Sequence, residues 1–351
     1  MMTTKIWKSV RYDSTPANVT ENADTSPTIT QDTSDINKYI FDLCKQYFTP
    51  QFNGQNLSPY LVMAIANTET GGRCDLSKTY TSLFPSAVVP LNSTADIDNM
   101  NSATLLQHEE YFKKLATDWQ SRDRGPLQVQ AGFGTNDATL NSLMGKSEVD
   151  NYATSSMPEN EAEFSANETK ASGRTLSLST WISEASKYPG DRFNPKDICL
   201  RATNGYNIAI ADINKQYDVT NEKQLYAMLA IFHQASSVWN PNYRYSNIGN
   251  WISGQQAYEY CKKISSDDFL AIIQKHLKEN IESAQTEGKA PRLTITDAIA
   301  KEYYDEAVAA GIIDTPFNYV KDRRYYWITY CYPIRLLYNF EMVRYLYEGT
   351  I

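Results

Sequence analysis

The sequence is poor in the residues that bind metals and form cross-links. It contains five cysteines, none of them in a Cys-x-x-Cys pair, and only three histidines, of which no two share a metal-ligand spacing. Zinc sites and disulfide frameworks both leave such spacings in a sequence. We therefore expect no bound metal, no cofactor and no disulfide framework.

The sequence has fewer basic than acidic residues, and it contains no long apolar run. Thirty-three Lys and Arg residues stand against 41 Asp and Glu residues, which gives a formal net charge of −8. Proteins that bind nucleic acids present a basic surface to the phosphates. No apolar stretch is long enough to cross a bilayer, and the first residues contain no apolar core of a secretory signal. We expect no nucleic-acid partner, no membrane insertion and no signal peptide.

The alternation of apolar and polar residues that marks strands is also scarce. Apolar residues instead recur at helical spacing over the segments 36–47, 59–69, 102–119, 195–217, 222–236, 253–284, 295–310 and 333–348. Residues 12–34 and 150–180 are polar, and such chain buries too little surface to offset the entropy of ordering it. We predict a mostly α-helical protein with a flexible N-terminal arm, residues 1–34, and a long surface loop at about 150–180.

One carboxylate stands at the end of a strongly apolar helical segment. Ser58 and Pro59 are typical of a helix start, and two glycines at 71–72 are typical of its end. Glu69 lies in the last turn, where the negative end of the helix dipole disfavours a carboxylate and raises its pKa. A carboxylic acid of raised pKa can protonate a glycosidic oxygen near neutral pH. Glu69 is therefore the candidate catalytic acid, although most glutamates in such positions are solvated surface residues.

Four sequence blocks around Glu69 resemble the motifs of soluble lytic transglycosylases and goose-type lysozymes, in the same order. They are residues 69–72 (Glu-Thr-Gly-Gly), 122–129 (Arg-Asp-Arg-Gly-Pro-Leu-Gln-Val), 193–198 (Phe-Asn-Pro-Lys-Asp-Ile) and 230–235 (Ala-Ile-Phe-His-Gln-Ala). The resemblance covers about residues 58–240. It implies a lysozyme-like helical catalytic domain over 35–250, with an insertion at about 76–118. Residues 251–351 would add C-terminal helices to this domain or form a small separate wall-binding or docking module.

The resemblance implies cleavage of the β-1,4 bond between N-acetylmuramic acid and N-acetylglucosamine in bacterial peptidoglycan. Glu69 would act first as the acid and then as the base that closes a 1,6-anhydro ring on the muramoyl residue. Gln128 and Val129 would line the sugar cleft. Phe232 and His233 would also contact substrate, in place of the Tyr-Asn pair that the family carries there. His233 is alternatively a structural helix histidine whose hydrogen bonds are satisfied within the protein.

Two alternatives stay open at this stage. A hydrolytic muramidase on the same fold would need a second acid to hold a water molecule, and Asp123 is the candidate for it. A glycan-binding or structural virion protein would keep the fold without turnover. Because no signal peptide is visible, we expect a virion-associated or extracellular protein that acts at the bacterial cell wall. The N-terminal arm would then attach it to virion tail or secretion-assembly proteins.

Overall fold

The computed structural model describes residues 33–69, 94–101, 125–153, 177–235, 239, 254–289, 291–314 and 330–349. These residues are mostly α-helical, which confirms the predicted class. Their one sheet is a short antiparallel pair, Gln51–Phe52 with Gln55–Asn56. Most of the predicted arm, insertion and polar loop lie outside the described residues. Within the described residues, no helix is both long enough and apolar enough to cross a membrane.

The chain divides into two compact units, with boundaries at residues 50/51, 74/75 and 205/206. The unit that contains Glu69, here the first unit, holds α2 (Tyr60–Glu69), α8 (Glu222–Gln234), α9 (Gly254–Ile264), α10 (Asp267–Glu287), α11 (Asp297–Ala309) and α12 (Tyr332–Glu348). The second unit holds α1 (Thr33–Tyr47), α3 (Thr94–Asp98), α4 (Ala138–Met144), α5 (Glu148–Ala153) and α6 (Leu178–Ala185). Helix α7 (Pro195–Asn214) begins in the second unit and belongs to the first from Tyr206 onward. The predicted domain boundaries at 34 and 250 stay predictions.

Two helices of the first unit are buried on nearly all sides. Residues 61–68 of α2 are all buried, and α12 packs against α2, α8, α10 and α11. Helix α12, close to the C-terminus of the sequence, is therefore the central helix of this unit.

The helical pattern over 253–284 is interrupted in the structure. Helix α9 ends at Ile264 and α10 starts at Asp267. The side chain of Ser266 accepts a hydrogen bond from the backbone N–H of Phe269, which caps the new helix. The helical pattern predicted over this segment therefore corresponds to two helices, because an N-cap serine can start a new helix without disturbing the apolar spacing.

The second unit contains a buried cluster of charged groups. Arg192 and Glu148 are almost fully buried, and Glu148 accepts hydrogen bonds from Arg192 Nε at 2.6 Å and Nη2 at 3.0 Å. Burial alone would raise the pKa of Glu148, but the charge and hydrogen bonds of Arg192 outweigh it and lower this pKa to about 2. The lowered pKa therefore keeps Glu148 ionised beside Arg192 at physiological pH. Removing one partner would leave the other charge buried and unpaired.

Asp197, in the first turn of α7, lies in the same unit but has the opposite shift. Burial raises its pKa from 3.8 to about 6, although its side chain accepts a hydrogen bond from the backbone N–H of Asp191. The folded state thus binds this proton more tightly than the unfolded chain does. Asp197 therefore lowers the free energy of unfolding progressively as the pH rises from about 4 to about 6.

We predict that Asp197→Asn stabilises the protein at neutral pH. Asparagine keeps a side-chain oxygen for the Asp191 N–H but is never charged, so its advantage over aspartate grows with pH. Between pH 4 and pH 7 the gain in free energy of unfolding should increase by roughly 2–3 kcal/mol. Urea unfolding of both proteins across this range measures it. Asp218→Asn, the same change on an exposed residue, is the control. A difference between wild type and Asp197→Asn that does not grow with pH would contradict the assignment.

Candidate functional site

Glu69 is the last residue of α2, and its side chain is only 13% exposed. Every preceding residue of α2 from Leu61 onward is buried, so the helix delivers its terminal side chain into the protein rather than into water. The interpretation of Glu69 as a solvated surface glutamate is therefore wrong. A carboxylate this buried requires polar partners, because desolvation of an unpaired charge costs several kcal/mol.

Three polar side chains from two other helices converge on one oxygen of Glu69. The phenol of Tyr332, the first residue of α12, donates a hydrogen bond to Oε1. Gln234, the last residue of α8, donates to the same oxygen from Nε2 at 2.7 Å. Nε2 of His233 lies 3.6 Å from it. Donors at these positions stabilise the ionised carboxyl and fix its orientation.

His233 is itself held by a second tyrosine. Its Nδ1 lies 3.0 Å from the hydroxyl of Tyr206, which comes from α7. The side chain of His233 is 1% exposed, and Tyr206 is fully buried. The ring of His233 also lies parallel to that of Tyr332, with 6.4 Å between the ring centroids. The imidazole therefore lies between two tyrosines, with one nitrogen toward Tyr206 and the other toward Glu69.

Both tyrosines keep their protons at physiological pH. Burial, with the nearby charge of Glu69, raises the pKa of Tyr206 and of Tyr332 well above the ordinary value of 10. Each is therefore a neutral phenol that can donate a hydrogen bond. Two neutral phenols thus belong to the described residues around Glu69.

Helix α12 also fixes the end of α2 from which Glu69 projects. Asn339 Nδ2 donates to the hydroxyl of Thr68 at 2.6 Å, and Arg335 Nη2 donates to the Thr68 carbonyl at 3.3 Å. Arg335 also forms an ion pair with Asp297 at 3.1 Å. Tyr332, Arg335 and Asn339 follow each other at helical spacing, so they share one face of α12. This polar face holds both the Glu69 carboxyl and the backbone just before it.

The structure brings three of the predicted site residues together in the first unit, namely Glu69, Phe232 and His233. Phe232 is 9% exposed, and its ring meets that of Tyr206 edge-on, with 6.1 Å between the ring centroids. Substrate contact by Phe232 and His233 stays a prediction. Asp123 lies outside the described residues.

Sequence reasoning missed three members of the site: Tyr206, Gln234 and Tyr332. Gln234 follows directly after the predicted pair and was overlooked although it is polar at the end of an apolar helix. Tyr332 is 263 residues from Glu69, so no local spacing connects the two. The helical spacing of Tyr332 with the polar Arg335 and Asn339 was the available signal for Tyr332.

Gln128 and Val129 belong to the second unit, on a tight turn. Gln128 has φ +48°, an uncommon backbone conformation for a residue other than glycine, and its Nε2 donates to the Gly125 carbonyl at 2.7 Å. Val129 is 5% exposed, and its carbonyl accepts a hydrogen bond from the buried Arg192 at 3.0 Å. The Gln128 side chain therefore stabilises its own turn, and Val129 is anchored through its backbone.

The loop that follows this turn is held by two side chains of α7. Arg201 Nη1 donates to the Ala131 carbonyl at 2.7 Å, and Asn204 Nδ2 donates to the Gly134 carbonyl at 2.9 Å. Gly134 has φ +68°, and a Cβ atom there would lie 1.9 Å from the carbonyl oxygen of Arg201. The close approach of loop and helix therefore requires glycine at this position.

Comparison with known protein families, with curated proteins and with solved structures finds no match to this chain.

We predict that Gly134→Ala is much more destabilising than Gly145→Ala. Both glycines have positive φ, and a Cβ atom at Gly145 would meet nothing within 4 Å. Gly145 has φ 73° and ψ −33°, so Gly145→Ala should cost only the strain of alanine in this sparsely populated conformation, about 1–3 kcal/mol. Gly134→Ala adds a clash with the α7 backbone, which we expect to cost roughly 1–3 kcal/mol beyond its own backbone strain. Urea unfolding of the two variants measures the difference, and equal losses would mean that the loop does not pack against α7 this closely.

Proposed function

We propose that the protein is a lytic transglycosylase that cleaves the glycan strands of bacterial peptidoglycan, on a lysozyme-like fold, with Glu69 as its single catalytic acid and base. The observation that carries this proposal is the burial of Glu69 at the end of an apolar helix, with Tyr332 and Gln234 donating to one of its oxygens. The order of the four sequence blocks supports the same choice of substrate.

The reaction needs one group that first gives and then takes a proton. Protonated Glu69 would donate its proton to the glycosidic oxygen as the bond from the muramoyl C1 to that oxygen breaks. The ionised carboxylate would then accept the proton of the muramoyl 6-hydroxyl as the oxygen of that hydroxyl bonds to C1. The product is a 1,6-anhydro ring, and Glu69 regains its proton without any water being consumed.

The hydrogen bonds to Oε1 would stabilise Glu69 between the two proton transfers of this reaction. Between the two proton transfers the carboxylate is charged, and donors that already point at it need no reorganisation. The phenol of Tyr332 and the amide of Gln234 supply such donors. Both of these groups are neutral, so neither would compete with Glu69 as a proton donor at physiological pH.

The other predicted residues keep their proposed places. Phe232 would line the sugar cleft, Gln128 and Val129 stay cleft residues by the sequence resemblance alone, and Asp123 is the candidate second acid if the enzyme hydrolyses instead. Residues 1–34 would attach the protein to a virion tail or a secretion assembly, from which it would act at the bacterial cell wall. These assignments rest on the family resemblance and the composition of the chain.

We predict that Glu69→Gln abolishes release of muropeptides from purified sacculi. Glutamine preserves the shape of the side chain but cannot transfer a proton, so the rate should fall about 10³-fold or more. Mass spectrometry of the released fragments measures both rate and product. Wild type should give 1,6-anhydro muropeptides, whereas a hydrolytic muramidase would give products heavier by one water.

Glu302→Gln, on the exposed side of α11, is the matched control and should keep wild-type activity. Equal release by wild type and Glu69→Gln would refute the role of Glu69. If wild type binds sacculi but releases nothing, the protein is instead the non-catalytic glycan-binding alternative.

A further inference from the structure

We propose that Tyr206 and His233 form a positioning pair, in which the Tyr206 hydroxyl donates to Nδ1 of His233 and so keeps a neutral imidazole with its Nε2–H directed at Glu69. The role of this pair in catalysis rests on the proposed function of Glu69. The hydrogen-bond arrangement of the pair does not rest on that function, because it follows from the buried side chains themselves. The pair is distinct from Tyr332 and Gln234, which contact Glu69 directly.

The side chain of His233 is almost completely enclosed by protein. Its side chain is 1% exposed, so almost none of the imidazole surface is available to a bound sugar. One nitrogen lies 3.0 Å from the Tyr206 hydroxyl and the other lies 3.6 Å from Glu69 Oε1. We therefore assign His233 to the carboxylate rather than to the substrate.

The distance between His233 and Glu69 indicates a neutral imidazole. A charged imidazolium beside a carboxylate normally closes to roughly 2.7–2.9 Å, because charge-assisted hydrogen bonds are short. The separation of 3.6 Å is longer than any hydrogen bond, and burial of the ring disfavours the cation. A neutral imidazole near two groups that already donate to Oε1, those of Tyr332 and Gln234, fits the distance better.

The neighbours of the two ring nitrogens favour a proton on Nε2 of His233. A neutral imidazole has one N–H and one bare nitrogen, and the partner of each nitrogen decides which is which. A bare Nε2 would present its lone pair to Oε1, an oxygen that already accepts hydrogen bonds from Tyr332 and Gln234, and two facing lone pairs repel each other. Nδ1 must then be bare, and the neutral phenol of Tyr206 supplies the hydrogen that it accepts.

The consequence is an N–H dipole fixed toward the carboxylate that the reaction creates. Hydrogen bonds at active sites are often long in the free enzyme and shorten when substrate binds. His233 would thus stabilise charged Glu69 without competing as a proton donor. Tyr206 acts through His233, so it is a positioning residue.

Nitrogen-15 NMR of the full-length protein with labelled histidine tests the arrangement directly. The chain has only three histidines, so spectra of His108→Gln and His276→Gln assign His233 by elimination. At pH 7 we expect the chemical shift of a bare nitrogen at Nδ1 and of a protonated nitrogen at Nε2. In Tyr206→Phe the Nδ1 signal should move, because its hydrogen-bond donor is gone. A protonated Nδ1 in wild type, as the other tautomer or as imidazolium, would overturn the proposal.

Muropeptide release from sacculi tests the catalytic part. Tyr206→Phe should lower kcat about 3- to 10-fold with little change in KM, whereas Tyr226→Phe should leave kcat unchanged. Tyr226 is the matched control because it is also fully buried in the first unit, where its hydroxyl accepts a hydrogen bond from the backbone N–H of Ser58.

The outcomes separate the two proposals. An unchanged kcat in Tyr206→Phe, with Glu69→Gln inactive, refutes the positioning pair but not the proposed function. If wild-type protein releases no muropeptides, the catalytic role of the pair is overturned together with that function. The NMR spectrum then still decides the hydrogen-bond arrangement by itself.

Discussion

The first unit is organised around the need to satisfy a carboxylate inside an apolar interior. Glu69 follows eight consecutive buried residues, so α2 cannot turn it to solvent. Burying an unpaired charge there would cost more free energy than most single interactions contribute to the stability of a fold. The partners come from α8 and α12, and the ends of three helices must therefore meet at one point.

Helix α12 meets that requirement while also forming the centre of the core. It packs against four other helices, and a polar stripe on it, formed by Tyr332, Arg335 and Asn339, contacts the end of α2. Ionic and amide groups on this stripe hold Thr68, the residue before Glu69. A helix that looked from its sequence like an addition to the domain is thus part of the candidate site. Its polar residues have partners fixed by the fold, which is the condition for burying them.

The helices could be predicted from the sequence because their signals are local. Apolar spacing, caps and glycine stops lie within a few residues of one another, and α2, α7, α8 and α12 were found close to their observed positions. Glu69 was found for the same reason. Tyr206 and Tyr332 were not, because their meeting with Glu69 depends on packing between segments more than a hundred residues apart. A tyrosine in an apolar helix looks the same whether its hydroxyl reaches water or a buried carboxylate.

The second unit shows why charged residues in a sequence are hard to interpret. Arg192 and Arg201 are fully buried, whereas arginines are ordinarily expected at the surface. Their guanidinium groups satisfy backbone carbonyls, those of Val129 and Ala131 among them, that a loop packed against a helix would otherwise leave without donors. A guanidinium group has five donors in a fixed planar arrangement, so it can bond to several backbone segments at once. Lysine has only three donors on a flexible side chain. The loop therefore takes its shape from arginines at least 60 residues further along the chain. Residues 122–129 could resemble a known motif by their own sequence, but nothing in that sequence could show what holds the segment in place.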